Sequence, residues 1–301
     1  MTLKEKKIKR ILVFLVLVLV LVGCTSNLDA DGTLKASRVI NESTKWSLSA
    51  GWFDFLLVIP LTKLMMFFNK FVDVVPALII VTVLVNLITL PLNIRSTVAT
   101  QKMQQIQPMI DRLNQKYKGR NDQASKQRMA VEQQALYKKY DVKLGQTMIL
   151  PFLTLPVMLA VWQCVQRWEA MYNTIFLGLD MTSKPNAMIS EGLWGYLVLV
   201  IVMAVFQFVS IQIGPFLQKR SKYYKPSKKP ANNMQTTNIV MTVMFVWLAY
   251  TMSSAMSVYW ITSSVIGIIR SVYIHFAYTE KLNLKHEATS TNYLNKNKKG
   301  K

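Results

Sequence analysis

The sequence is poor in the residues that build soluble chemistry. Its 301 residues hold two cysteines and two histidines, and 15 acids against 36 lysines and arginines. Two cysteines are too few for a disulfide framework. They also lie in unlike surroundings, Cys24 at the close of one apolar run and Cys164 inside another, so no disulfide is expected. No GxxxxGKS/T loop, no GxGxxG after a strand and no HExxH or paired-cysteine site occurs, which leaves nucleotide and metal binding without a local signature. No cofactor is expected. His275 and His286 lie at or beyond the last apolar segment, where a lone histidine is far more often structural than catalytic. Acids are missing from the apolar segments altogether, whereas proton- or cation-coupled transport usually needs an intramembrane carboxylate or histidine relay. The chain reads as a non-enzyme.

What the sequence does have is apolar length. Hydrophobic residues make up 51% of the chain and the mean hydropathy is +0.24, which together with several long apolar runs indicates a polytopic membrane protein. The net charge of +21 would suggest nucleic acid in a soluble protein. Here the basic residues sit between and after the apolar runs, where membrane topology and anionic lipid headgroups place them.

Val74 to Leu92 runs 19 residues without a charge, and about 20 apolar helical residues cross a bilayer core. Its polar residues are not scattered. Thr82, Asn86, Thr89 and Asn93 are spaced by four, three and four, so they share one face of a helix. That face meets something other than lipid.

In chain order, Lys4 to Arg10 followed by the apolar Ile11 to Val20 reads as a secretory signal peptide over residues 1–23. Its ending, Leu21-Val22-Gly23-Cys24, resembles a bacterial lipobox, which implies diacylglycerol (and palmitate) on Cys24 and an N-terminus anchored outside the cytoplasmic membrane. Residues 24–71 are expected to be an extracytoplasmic tether followed by an interfacial amphipathic helix, in which Trp46, Trp52 and Phe53 mix with Asp54, Lys63 and Lys70. Five spans are expected at about 74–94, 148–167, 193–213, 237–251 and 254–274, within a core of residues 72–275. Between the first two, residues 96–143 carry ten basic residues against Asp111, Asp122, Glu132 and Asp141, and so belong in the cytoplasm. Met103, Ile106, Ile110, Leu113 and Tyr117 recur by three and four, Gly119 to Asp122 signals a turn, and Met129, Leu136 and Tyr140 mark a returning helix. This predicts a basic helical hairpin. The loop Trp168 to Gly192 has no positive bias and belongs outside; Lys219 to Lys229 is basic and belongs inside. On the last span Ser253, Ser257, Trp260, Ser264, Gly267 and Ser271 form a second polar stripe, and Gln207 and Ser210 lie toward one face of the third. The tail, residues 276–301, is expected to be disordered, basic and cytoplasmic.

The order of these parts resembles the YidC-type membrane protein insertases of the Oxa/YidC/Alb superfamily, in the lipoprotein form of Gram-positive bacteria. The resemblance rests on Thr82 to Leu92 (TVLVNLITLPL) followed by Gln101 to Pro108 (QKMQQIQP), Pro156 to Trp162 (PVMLAVW), Phe176 to Thr182 (FLGLDMT) and Val258 to Ser264 (VYWITSS), which extend over residues 50 to 275 or so. It implies an all-α fold of five transmembrane helices around a hydrophilic groove open to the cytoplasm and to lipid, in which an incoming segment lodges before sliding sideways into the bilayer. The implied groove residues are Thr82, Asn86, Thr89, Gln207, Ser257, Trp260 and Ser264. The implied partners are nascent membrane proteins and the ribosome, with the Sec translocon as a further candidate and anionic lipids at the surface. A small polytopic transporter or channel is the alternative. The sequence departs from the family pattern at Asn86, where an arginine is usual. Thr154 stands for a glutamine, Ser253 and Ala255 for a proline and a glycine, and Arg270 for a glutamine. Arg95, nine residues beyond Asn86 and after a proline-containing turn, is a poor substitute for the missing arginine.

Overall fold

A computed structural model describes residues 35–120, 122–220 and 232–279. The signal peptide, Cys24 and the basic tail beyond Thr279 lie outside the described residues, as does most of the basic loop Lys219 to Lys229. The described chain is mostly helical. A π-helical turn at Asp54–Val58 leads into α1 (Ile59–Asn69), followed by α2 (Val74–Lys116), α3 (Gln123–Lys139) and α4 (Leu144–Arg167). A two-stranded antiparallel hairpin, β1 (Ile175–Phe176) and β2 (Leu179–Asp180), and a short α5 (Pro185–Ser190) precede α6 (Gly195–Arg220), α7 (Asn232–Thr251) and α8 (Ser254–Ile274).

Among the described residues three helices are long and apolar enough to cross a membrane, at Val74–Met103, Gly195–Leu217 and Ser254–Tyr278, and a shorter apolar helix covers Asn238–Thr251. The 43 residues of α2 form one uninterrupted helix, roughly 65 Å long at 1.5 Å per residue. That is about twice the thickness of a bilayer core. Pro91 therefore does not end the first span in a turn, and Arg95 continues the same helix. Proline is tolerated in this way where neighbouring groups satisfy the freed carbonyl.

The described residues divide into two compact units, those within Met1–Leu84, Phe152–Leu199 and Ala249–Tyr259 forming the first and those within Val85–Pro151, Val200–Leu248 and Trp260–Lys301 the second. In the first, residues 35–44 pack as part of the fold. Ile40 is fully buried, its N–H donates to the Arg167 carbonyl (2.7 Å) and its carbonyl accepts from the Glu169 N–H (3.1 Å). This short parallel bridge to the C-terminal end of α4 removes one apolar side chain from water and pairs both backbone groups of the same residue. The loop after β2 is also fixed, since Ser254 and Ala255 at the start of α8 donate to the carbonyls of Ser183 (2.9 Å) and Met181 (2.9 Å).

In the second unit the far half of α2 and α3 form a helical hairpin. The stripe Ile106, Ile110, Leu113 and Tyr117 is buried on the far half of α2, and Ile106 and Ile110 pack with Val142, Met103, Tyr137 and Tyr140. The turn uses Gly119 at φ +84°, a value open to glycine without steric cost. Asp122 then caps α3, its carboxylate accepting from the Ser125 N–H at 2.7 Å. Two ion pairs clasp the hairpin, Lys116 to Glu132 at 2.7 Å and Lys102 to Asp141 at 2.9 Å. Hydrogen bonds from Lys116 and Tyr117 hold Glu132 below its ordinary pKa, and the hydrogen bond from Lys102 does the same for Asp141.

Candidate functional site in the membrane-spanning helices

The seam on α2 is built from the helix's own geometry. The Thr82 hydroxyl donates to the Leu78 carbonyl (2.8 Å), and the Thr89 hydroxyl lies 2.9 Å from the Val85 carbonyl and 3.2 Å from that of Asn86. The Asn93 amide donates to the Thr89 hydroxyl at 3.1 Å. Such back-bonding spends the hydroxyl protons inside the helix, so the seam presents acceptors more than donors. Burial differs around the helix. Thr82 and Asn93 are buried and Asn86 and Thr89 half-buried, while Leu87 and Ile88 on the other side are 54% and 76% exposed. The apolar face is the one left for lipid.

In the second unit α6 and α8 meet through small and polar residues. The Ser264 hydroxyl donates to the Gln207 side-chain carbonyl at 2.8 Å. One turn further, a Cβ added at Gly267 would stand 2.7 Å from the Ser210 Oγ, closer than side chains pack, so a larger residue there would have to displace that hydroxyl. It is the close approach that small residues permit between membrane helices. Asn238 of α7 donates to Gln212 of α6 at 3.2 Å. Trp260 is buried, with its ring edge-on to Phe245 at 5.8 Å.

Of the groove residues expected from the sequence, Gln207 and Ser264 are thus brought into direct contact, and Asn86 and Thr89 share one half-buried seam. Thr82 and Ser257 belong to the first unit. Ser257 is fully buried, and its hydroxyl has no hydrogen-bond partner among the described residues, a state that costs about 1–3 kcal/mol in a closed core.

The chain belongs to the 60Kd inner membrane protein family. The model of that family matches residues 66–281, which takes in α2 through α8. Among relatives of the family, the "Membrane protein insertase YidC" of Mycoplasma pneumoniae is 27% identical over 213 residues, covering 67% of this chain and 55% of that protein. The protein of the same name in Clostridium tetani is 28% identical over 212 residues, covering 70% of this chain and 84% of that one. "Membrane protein insertase YidC 2" of Listeria innocua is 24% identical over 235 residues, 77% and 75% of the two chains. The chain spans little more than half of the Mycoplasma protein and 64% of its Ureaplasma parvum counterpart. Membership of this family and the apolar helices together make the chain a multi-pass membrane protein.

One cluster in this family member escapes a reading by sequence. Arg167, at the C-terminal end of α4, donates from Nη1 to Asp54 Oδ1 at 2.9 Å, and its Nη2 lies 2.9 Å from Oδ2, with the two side chains 6% and 9% exposed. Its Nε donates to the Arg38 carbonyl (2.8 Å), and the Arg38 guanidinium stands 3.8 Å from the same carboxylate. The partners are 113 residues apart in sequence. The available signal was a lone acid in an apolar, aromatic stretch and a lone arginine at the end of an apolar run.

Proposed function

We propose that this chain is a membrane protein insertase that acts without a catalytic centre. A nascent apolar segment enters a polar intramembrane groove, which shelters its hydrophilic flanks, and then passes sideways into lipid. The observation that carries this reading is the half-buried seam of Asn86 and Thr89 on a helix whose opposite face is apolar and exposed. Polar groups facing hydrocarbon are costly unless paired or hydrated, so a seam left half-open suits a hydrated space rather than a closed helix contact. The names borne by the relatives support the same activity.

In this reading five helices cross the membrane, α2, α4, α6, α7 and α8, and Thr82, Asn86, Thr89, Gln207, Ser257, Trp260 and Ser264 line the groove. The residues 54–69 lie in the outer interface, Cys24 carries lipid outside, and the hairpin of α3 with the far half of α2 faces the cytoplasm. There its basic surface receives the ribosome and nascent chain, helped by the tail, with about 1 kcal/mol of membrane attraction per basic residue near an anionic surface. The free energy for release is the burial of the client's apolar segment in lipid, so no nucleotide is needed. The test is reconstitution of the purified full-length protein in liposomes with a single-span client. Insertion that depends on the protein and needs neither ATP nor an ion gradient is expected. Solute flux without insertion would support a channel or transporter instead.

A further inference from the structure

The hairpin between α4 and α6 breaks two local preferences at once. Its two-residue turn places Leu177 at φ +53° and Gly178 at φ +78°, the pair of positive φ values of a type I′ turn, which favours Asn, Asp or Gly at its first position. A leucine there meets its own backbone unfavourably. Nor is it repaid by packing, because Leu177 is 85% exposed and Ile175 beside it 71% exposed. Local rules broken in this way mark functional positions.

The base of the hairpin is fixed firmly. The Met181 N–H continues the ladder to the Thr174 carbonyl (3.0 Å), and the Asp180 N–H donates to the Tyr196 hydroxyl of α6 at 2.9 Å. The Asp180 carboxylate accepts from Thr182 (N–H 2.9 Å, hydroxyl 2.8 Å) and from the Ser183 hydroxyl (2.7 Å). Leu179 packs so close to Gly195 that an added Cβ would lie 2.9 Å from its Cδ2. Residues 172–179 carry no charge. The apex is therefore a rigid, uncharged, apolar point, and it stands beside the start of α6, where Leu193, Trp194 and Val198 are 49%, 65% and 60% exposed. Trp194 and Val198 begin the lipid-facing stripe of a spanning helix, with a tryptophan at the level where such residues favour the interface.

We infer that the Ile175–Leu177 apex inserts into the acyl and headgroup boundary of the leaflet that meets the N-terminal end of α6, and so fixes the depth at which α6 and α8 sit. The occupant is lipid, because the apex continues an apolar surface that a membrane span already exposes to lipid. This anchor is independent of the insertion reaction and would hold for a channel as well.

The test uses the full-length protein in vesicles of phosphatidylethanolamine and phosphatidylglycerol. Leu177→Cys carries an environment-sensitive fluorophore, Ser190→Cys on the exposed end of α5 serves as the water-facing reference, and the parent protein labelled in parallel gives the background from Cys24 and Cys164. The expected result at position 177 is blue-shifted emission, quenching by spin-labelled acyl chains and loss of the iodide quenching seen at position 190. Equal iodide quenching at both positions overturns the inference. Protection from both quenchers also overturns it, in favour of a protein partner. Leu177→Asn, which suits the turn, keeps the fold while removing the anchor. A label at Ile175→Cys in that background is expected to become accessible to iodide, and continued lipid quenching there would remove Leu177 from the account.

Discussion

The buried Asp54–Arg167 pair makes a prediction whose ordering follows from its asymmetry. Removing one partner of a buried ion pair typically costs about 3–5 kcal/mol, because the other charge is left without compensation. At 6% and 9% side-chain exposure neither group can recover water. The two losses are not equal. After Arg167→Met, Asp54 still has the Arg38 guanidinium at 3.8 Å, although the Arg38 carbonyl loses the Nε donor. After Asp54→Leu, Arg167 keeps only that carbonyl and faces Arg38 without the intervening anion. Asp54→Leu is therefore expected at the upper end of the range and Arg167→Met at the lower end. The double variant should recover much of the loss, since replacing a whole buried pair by apolar residues of similar size is often neutral or better. The assay is reversible unfolding of the full-length protein in mixed micelles, with each single and the double variant measured as a cycle. Coupling of about 3 kcal/mol is expected; additivity within about 0.5 kcal/mol, the behaviour of independent sites, would refute the reasoning.

Other expectations concern the two sides of the membrane. Gly267→Leu should separate α6 from α8 by collision with Ser210, lowering thermal stability, and Ser210→Gly should restore part of the loss in the same melting assay. Ser264→Ala and Gln207→Leu each remove an interhelical hydrogen bond worth only about 0.6 kcal/mol on average, so melting should barely change while client insertion falls if these residues line the groove. Asn86→Leu should impair growth in an insertase-depletion strain and Asn86→Arg should be tolerated; full activity of the leucine variant would make the seam structural. The hairpin clasp should be acid-labile. Glu132 and Asp141 have folded pKa values below their ordinary 4.5 and 3.8, so their contribution is complete above those ordinary values and is lost as the pH falls through the lower folded ones. Hydrogen exchange at residues 113–142 should accelerate across that window, and Glu132→Gln should remove its share of the effect.

How far the sequence could be read depended on whether the signal was local. The apolar spans of α2, α6 and α8 are legible because lipid imposes an uninterrupted run. The helical hairpin is legible because its buried stripe recurs by three and four and its turn needs Gly119. The polar seam from Thr82 to Asn93 follows from spacing alone, and so does its separation from the lipid-facing Leu87 and Ile88. Pro91 misleads as a helix terminator, since α2 runs straight through it. The Asp54–Arg167 pair and the bridge at Ile40 join residues more than a hundred positions apart, and nothing local encodes such a pairing. The short strands beside Leu177 are too brief for any alternation to show.

Site-specific photocrosslinking from within the spans tests the central claim most directly. A stalled single-span nascent chain is presented to the full-length protein with the probe at Asn86, at Trp260 or at the lipid side of α2, Ile88. Strong crosslinks from Asn86 and Trp260 to the client, with weak ones from Ile88, are predicted. Crosslinks from Ile88 alone would contradict a polar groove as the path of insertion.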